Sequence, residues 1–115
     1  MKLDRVMEVL NAKVYTDTPY KDVEIHAACG ADLMSDALAF GVDKGLLLTG
    51  LNNPQCIRTA EMMDIHCVVL VRGKEPDEAI VTLANEKDIV VMKTDYSMYT
   101  SCGLLYQAGL PGGDV

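Results

Sequence analysis

No stretch of this 115-residue chain approaches the length of a membrane-spanning helix. No cluster of Lys or Arg interrupts an acidic balance of seventeen acids against ten bases, a formal net charge of -7. A surface of that sign repels polyanions, which argues against nucleic-acid polymers and anionic membranes as partners. No CxxC or other compact ligand spacing joins the four cysteines, Cys29, Cys56, Cys67 and Cys102, so neither a metal nor another cofactor is expected. The nucleotide fingerprints GxGxxG and GxxxxGK[ST] and the nucleophile motif GxSxG are all missing. There is no linker, low-complexity tract or long charge run. The opening Met1-Lys2-Leu3-Asp4-Arg5-Val6-Met7-Glu8 places acids where a signal peptide needs an apolar core. The expectation is a cytoplasmic protein whose cysteines are reduced thiols, mostly small core residues.

What is present fits one globular domain. Hydrophobic residues make up 50% and charged residues 23% of the chain, a composition that folds rather than stays disordered. A chain of this length buries on the order of two thirds of its unfolded surface, enough for a core without cross-links. The domain is expected over residues 1–110, and residues 111–115 lack an apolar pattern and read as a short disordered tail.

Leu3, Val6, Met7 and Leu10 recur at helical spacing, with Asn11 a suitable stop. Lys13 to Thr16 reads as a short strand. Val23, Ile25 and Ala27 alternate with Glu24 and His26, a strand with one wet face. Leu33, Met34, Ala37, Leu38 and Phe40 form a helical stripe between Asp32 as N-cap and Gly41 as stop. Three runs then differ in kind: Leu46-Leu47-Leu48, Cys67-Val68-Val69-Leu70-Val71 and Ile89-Val90-Val91-Met92 are continuously apolar. Strands covered on both faces read this way, and parallel strands are covered on both faces. The segments between them, Pro54 to Ile65 and Pro76 to Glu86, carry helical stripes with proline in the first turn. A last helix spans Asp95 to Ala108, stopped by Gly109 and Pro111. The prediction is a three-layer α/β/α single domain with a mostly parallel central sheet.

Ligands of open α/β sheets bind at the carboxyl edge of the strands. Two glycine-containing turns lie there. The Gly73-Lys74-Glu75-Pro76-Asp77-Glu78 turn carries three acids and repels an anion. The Thr49-Gly50-Leu51-Asn52-Asn53-Pro54 turn carries none, and Arg58 follows one helical turn on. Thr49, Gly50, Asn52, Asn53 and Arg58 are therefore the candidate contacts to a small anionic ligand. The alternative is structural, with Asn53 capping a helix and Arg58 paired with Glu61. Ser35 and Asp36 interrupt an apolar stripe; they either face a groove beside the sheet edge or lie on the solvent side of their helix. Neither His26 nor His66 has a nameable catalytic partner, and no catalytic residue is assigned. Tyr96, Tyr99 and Tyr106 share one face of the last helix, while Met98, Cys102, Leu105 and Ala108 form an adjoining one. That apolar arc is too wide for one-sided packing, so the tyrosines are candidates for a homodimer interface; core packing is the alternative.

Asp32-Leu33-Met34-Ser35-Asp36-Ala37-Leu38-Ala39 is similar to the DLLSDVLA stretch of DRTGG domains. Arg72-Gly73-Lys74-Glu75-Pro76 resembles their TGGxxP turn, with Lys74 in place of the second glycine. Ile89-Val90-Val91-Met92-Lys93-Thr94 resembles IPVLxT, and Leu104-Leu105-Tyr106 resembles GRLY. The resemblance covers nearly the whole chain, and extends more distantly to the N-terminal domain of HPr kinase/phosphorylase. It implies a three-layer α/β fold and a non-catalytic regulatory or dimerising module. The function it suggests is sensing of a small anionic metabolite or nucleotide, with Arg72 and Gly73 added to the ligand candidates. The alternative is an adaptor subunit that binds a partner enzyme and no small molecule.

Overall fold

The computed structural model describes residues 1–40 and 44–113. Its helices are α1 (Leu3–Leu10), α2 (Met34–Phe40), α3 (Gln55–Met62), α4 (Glu78–Glu86) and α5 (Met98–Gln107). Its strands are β1 (Lys13–Val14), β2 (Ala28–Gly30), β3 (Leu46–Thr49), β4 (Cys67–Leu70) and β5 (Val90–Lys93). The five strands form one sheet in the order β1-β5-β4-β3-β2. β2 to β5 are parallel and β1 pairs antiparallel to β5 at the edge.

The continuous apolar runs are the centre of this sheet, and their alternate residues supply two cores. Leu47, Val68 and Val91 lie side by side in register. They pack with Met34 and Ala37 of α2, Ile57 and Ala60 of α3, and Ile80 and Ala84 of α4. On the other face the row Leu48, Val69 and Met92 packs with Leu3, Val6 and Leu10 of α1 and Leu105 of α5. Each such side chain removed from water contributes about 1.5–3 kcal/mol. The result is the three-layer α/β/α arrangement that two-sided burial predicts.

Several local expectations are corrected. The alternation at 23–27 is real in burial, since Ile25 is buried while Glu24 and His26 are exposed, but that segment makes only a single antiparallel bridge, Glu24 to Lys2. The parallel strand is Ala28–Gly30, because those residues lie opposite Leu46 to Leu48. Of the expected stripe Met34 and Ala37 of α2 reach the core, while Leu33, just before the helix, and Leu38 are exposed. The expected stop, Gly41, lies outside the described residues. The Asp32 carboxylate does not cap α2; it accepts from the Gly50 amide at 2.7 Å. Glu61 pairs with Lys87 at 3.1 Å rather than with Arg58. Pro76 precedes α4 rather than opening it, with Asp77 at the cap position. α5 starts later than Asp95: Ser97 takes the cap and its hydroxyl accepts from Thr100 N at 3.2 Å. Beyond Leu110 the chain still touches the sheet, because the Pro111 carbonyl accepts from Ala28 N at 3.0 Å.

Among the described residues one buried side-chain group is unsatisfied. Ser101, on the core side of α5, has a hydroxyl without a hydrogen-bond partner. A buried unmatched hydroxyl costs about 1–3 kcal/mol, and alanine is the better helix former. Ser101→Ala should therefore stabilise the domain by about 1 kcal/mol, read as a higher urea midpoint at unchanged m-value.

Candidate functional site

The carboxyl ends of β3, β4 and β5 bring the two glycine turns together. Thr49 closes β3, fully buried, and its Oγ1 accepts from Leu51 N at 3.1 Å. Gly50 follows, and the Arg72 guanidinium lies against it: a Cβ on Gly50 would collide with Arg72 Nη2. A side chain at Gly50 would have to displace the guanidinium from this position. Asp32 completes this contact, with Oδ1 on the Gly50 amide at 2.7 Å and Oδ2 3.6 Å from Arg72 Nη1.

Arg72 and Gly73 are both left-handed, at φ 66 and φ 72. Such a backbone is unfavourable for arginine. It is held by two bonds to the loop after β5, Arg72 N to Tyr96 O at 2.8 Å and Gly73 N to Thr94 O at 2.9 Å. The amides of Arg72 and Gly73 are thus already spent, and the cation this turn places against Gly50 is the Arg72 side chain. Asn52 ties the turns to each other: its Nδ2 donates to Glu75 O at 2.9 Å and its Oδ1 accepts from Asp77 N at 3.2 Å. Asn53 Oδ1 accepts from Gln55 N at 2.8 Å, the capping role.

Of the residues marked in the sequence, Thr49, Gly50, Asn52, Arg72 and Gly73 meet at this edge. Arg58 is exposed and lines a separate shallow groove between α3 and α4 with Pro54, Glu78 and Thr82. Ser35 and Asp36 are exposed on α2, and none of the bonds that tie the cluster reaches them. Sequence reasoning missed Asp32 as a partner of this edge.

It also missed a second polar cluster beside it. The Tyr15 hydroxyl donates to Glu75 Oε2, Lys93 Nζ lies 3.2 Å from Asp95 and 3.7 Å from Glu75, and Lys13 Nζ sits 5.0 Å from the Tyr15 ring centre. The bond to Glu75 raises the Tyr15 pKa, and the same bond lowers that of Glu75. The stabilisation tied to the Tyr15 proton is therefore complete below the phenol's ordinary value of 10.0 and is lost as pH rises through the folded value. That tied to Glu75 is complete above the ordinary carboxylate value and is lost as pH falls through the depressed one. Both groups face solvent, so the effect on stability is small. NMR titration of the Tyr15 ring should give a midpoint above 10.0. Glu75→Ala should return it towards that value, and an unmoved midpoint would contradict the bond.

All four cysteines carry thiols. Burial pushes the Cys56 thiol up to about 11 and that of Cys67 further still, and burial with the neighbouring Cys29 raises Cys102. Thiols shifted upward are poor nucleophiles at neutral pH. His26 is exposed and His66 is half-buried just before β4. Among the described residues no group of three or more His, Cys, Asp or Glu could hold a metal ion, and no helix is long and apolar enough to cross a membrane.

The tyrosine side of α5 is uncovered. Tyr99 and Tyr106 are 88% and 64% exposed; Tyr96 is exposed too, but it precedes the Ser97 cap and so does not share the helix face as expected. Leu104, Cys102 and Gly103 line the shallow depression between Tyr99 and Tyr106. The opposite side seats Ser101 and Leu105 in the core, with Met98 and Cys102 half-buried and Ala108 exposed.

Comparison with curated proteins gives no match. The fold is similar to the crystal structure of the CBS and DRTGG domains of the regulatory region of Clostridium perfringens pyrophosphatase, complexed with the activator diadenosine tetraphosphate. The TM-score is 0.73 at 18% sequence identity, covering 97% of this chain and 48% of that one, so the chain spans about half the length of that structure. Residues 5–108 match the DRTGG domain model, a span that takes in every strand of the sheet and all but the first residues of α1, and the chain belongs to the DRTGG domain family.

Proposed function

We propose that this domain is a non-catalytic, cytoplasmic regulatory module that senses a small anionic metabolite or nucleotide at the carboxyl edge of its sheet and pairs with a second copy through α5. The observation that carries the ligand reading is Arg72, a solvent-accessible cation held between Gly50 and Asp32 at the end of the central strands. A chain of net charge -7 that keeps an arginine on a left-handed backbone at this edge has local chemistry for an anion. The similar structure supports a nucleotide as the ligand class, since its regulatory region was crystallised with one. That region also contains CBS domains, so the class is carried over and the contacts are not.

The pairing reading rests on charge as well as exposure. From Tyr96 to Gly113 the chain carries no Asp, Glu, Lys or Arg. Two copies, each strongly acidic, meet on this face without setting like charges together, and a two-fold axis covers the patch with itself. Tyrosine suits such a contact, burying its ring while its hydroxyl stays wet.

Thermal-shift measurement with a nucleotide panel tests the sensor. A ligand at a hundredfold its Kd stabilises by about 2.7 kcal/mol, a readily visible Tm rise, and Arg72→Gln should remove it. If no nucleotide shifts the wild type, the adaptor reading gains, in which the tyrosine face meets a partner enzyme. Light scattering tests pairing: the wild type should be a dimer and Tyr99→Glu a folded monomer. A monomeric wild type at tens of micromolar refutes the interface.

A further inference from the structure

The sensor reading leaves a question at the Gly50 edge: a carboxylate already sits where an anion would. Asp32 takes the Gly50 amide with Oδ1 at 2.7 Å and pairs loosely with Arg72, Oδ2 lying 3.6 Å from Nη1. A carboxylate that spans a backbone N–H and a guanidinium with separate oxygens is held as a phosphoryl group would be. We propose that Asp32 is the resident anion of a phosphoryl-binding cradle made by the Gly50 amide and the Arg72 side chain, and that a phosphate-bearing ligand binds by replacing it. This rests on the sensor reading and names its contact atoms.

Three observations support an exchangeable occupant. The Asp32 and Arg72 side chains are 54% and 46% exposed and not in close contact, which makes theirs a weak surface pair that a multiply charged ligand can outcompete. Lys93 is bracketed by Glu75 and Asp95, and the cation that lies against Gly50 is Arg72. Finally, the guanidinium lies so close to Gly50 that any side chain there would collide with it, and its backbone is kept left-handed by the Tyr96 carbonyl. The Arg72 backbone and the end of β3 are held by bonds that do not involve Asp32, Arg72 N to Tyr96 O and Val71 N to Thr49 O, so both donors keep their attachment points when Asp32 leaves.

Replacement also has a structural consequence. Asp32 lies in the connection between β2 and α2, which is tied to β3 by the Asp32–Gly50 bond and by Ala31 N to Leu48 O at 3.0 Å. A ligand that takes the first bond leaves the connection on the second alone. Occupancy of the cradle is thereby coupled to the seating of α2, whose outer face carries exposed Leu33 and Leu38.

The test is amide NMR titration with inorganic pyrophosphate at low salt, on the wild type, Asp32→Ala and Asp32→Asn. Asp32→Ala should bind about fivefold more tightly than the wild type, the gain expected from removing one competing charge from an exposed pair. The Gly50 amide should move most, and the gain should vanish in Asp32→Ala/Arg72→Gln. Equal affinity in the wild type and the Asp32 variant overturns the proposal, as does a gain that survives Arg72→Gln. Should Asp32→Ala fail to fold, Asp32→Asn keeps an acceptor for Gly50 and deletes the charge; it should show a smaller gain that likewise depends on Arg72, and the same two results overturn the proposal. Failure of the sensor reading is distinguishable: no nucleotide would stabilise the wild type, while the pyrophosphate gain of the opened cradle would stand.

Discussion

Val69→Asp should abolish folding. Val69 is fully buried in β4, between Leu48 and Met92 in register, and the cluster around it is built from Leu3, Val6, Leu10 and Leu105. A carboxylate there loses its hydration and gains an apolar surround. Burial of an unpaired charge costs several kcal/mol even after relaxation. The lost packing of the valine adds to this, and a domain of this kind is stable by only about 5–15 kcal/mol. Expression should yield insoluble or unfolded protein, without cooperative melting by circular dichroism. A soluble variant with the wild-type Tm would contradict the two-sided burial of the sheet.

Thr94→Val is the next largest. The swap preserves shape and removes one hydroxyl, which is fully buried. That hydroxyl donates to the Leu10 carbonyl at 2.7 Å, at the end of α1, and accepts from Tyr96 N at 3.3 Å. Valine leaves both groups unmatched, at about 1–3 kcal/mol for each buried group, so a loss of about 2–3 kcal/mol and a Tm lower by roughly 10 °C are expected. Thr94→Ser, which keeps the hydroxyl, should recover most of the loss. A Thr94→Val protein within about 0.5 kcal/mol of the wild type would mean that the bond carries no stability. The same loop supplies the Tyr96 carbonyl that holds the Arg72 amide, so the variant should also loosen the guanidinium over Gly50.

The fold was legible where burial is two-sided. Leu46 to Leu48, Cys67 to Val71 and Ile89 to Met92 announce themselves because no polar residue can be tolerated on either face, and the intervening helical stripes then leave one layered architecture. Legibility failed where one pattern admits two partners. The alternation of Val23, Ile25 and Ala27 records one wet face, yet the register with β3 selects Ala28–Gly30, and nothing within residues 23–30 encodes that choice. Asp32 before an apolar stripe has the form of a helix cap; the competing donor, the Gly50 amide, is eighteen residues away in sequence and is invisible to local patterns. The Tyr15, Glu75, Lys93 and Asp95 cluster draws on three distant segments for the same reason. Asn52 and Asn53 were readable as a polar turn, but only tertiary structure divides them, one bridging two loops and the other capping α3.

The strand order has a consequence for cooperativity. β4 lies at the middle of the sheet and belongs to both cores, with Val68 and Leu70 facing one helical layer and Cys67 and Val69 the other. Neither layer can melt without stripping the same strand, so opening of β4 coincides with global unfolding. β2 is three residues long, paired with β3 on one side and touched on the other by the Pro111 carbonyl. It belongs to the part of the molecule that opens at a fraction of the global free energy. Asp32 leaves the sheet two residues after that strand, so the contact at Gly50 is anchored on one side by the central strands and on the other by a short edge segment.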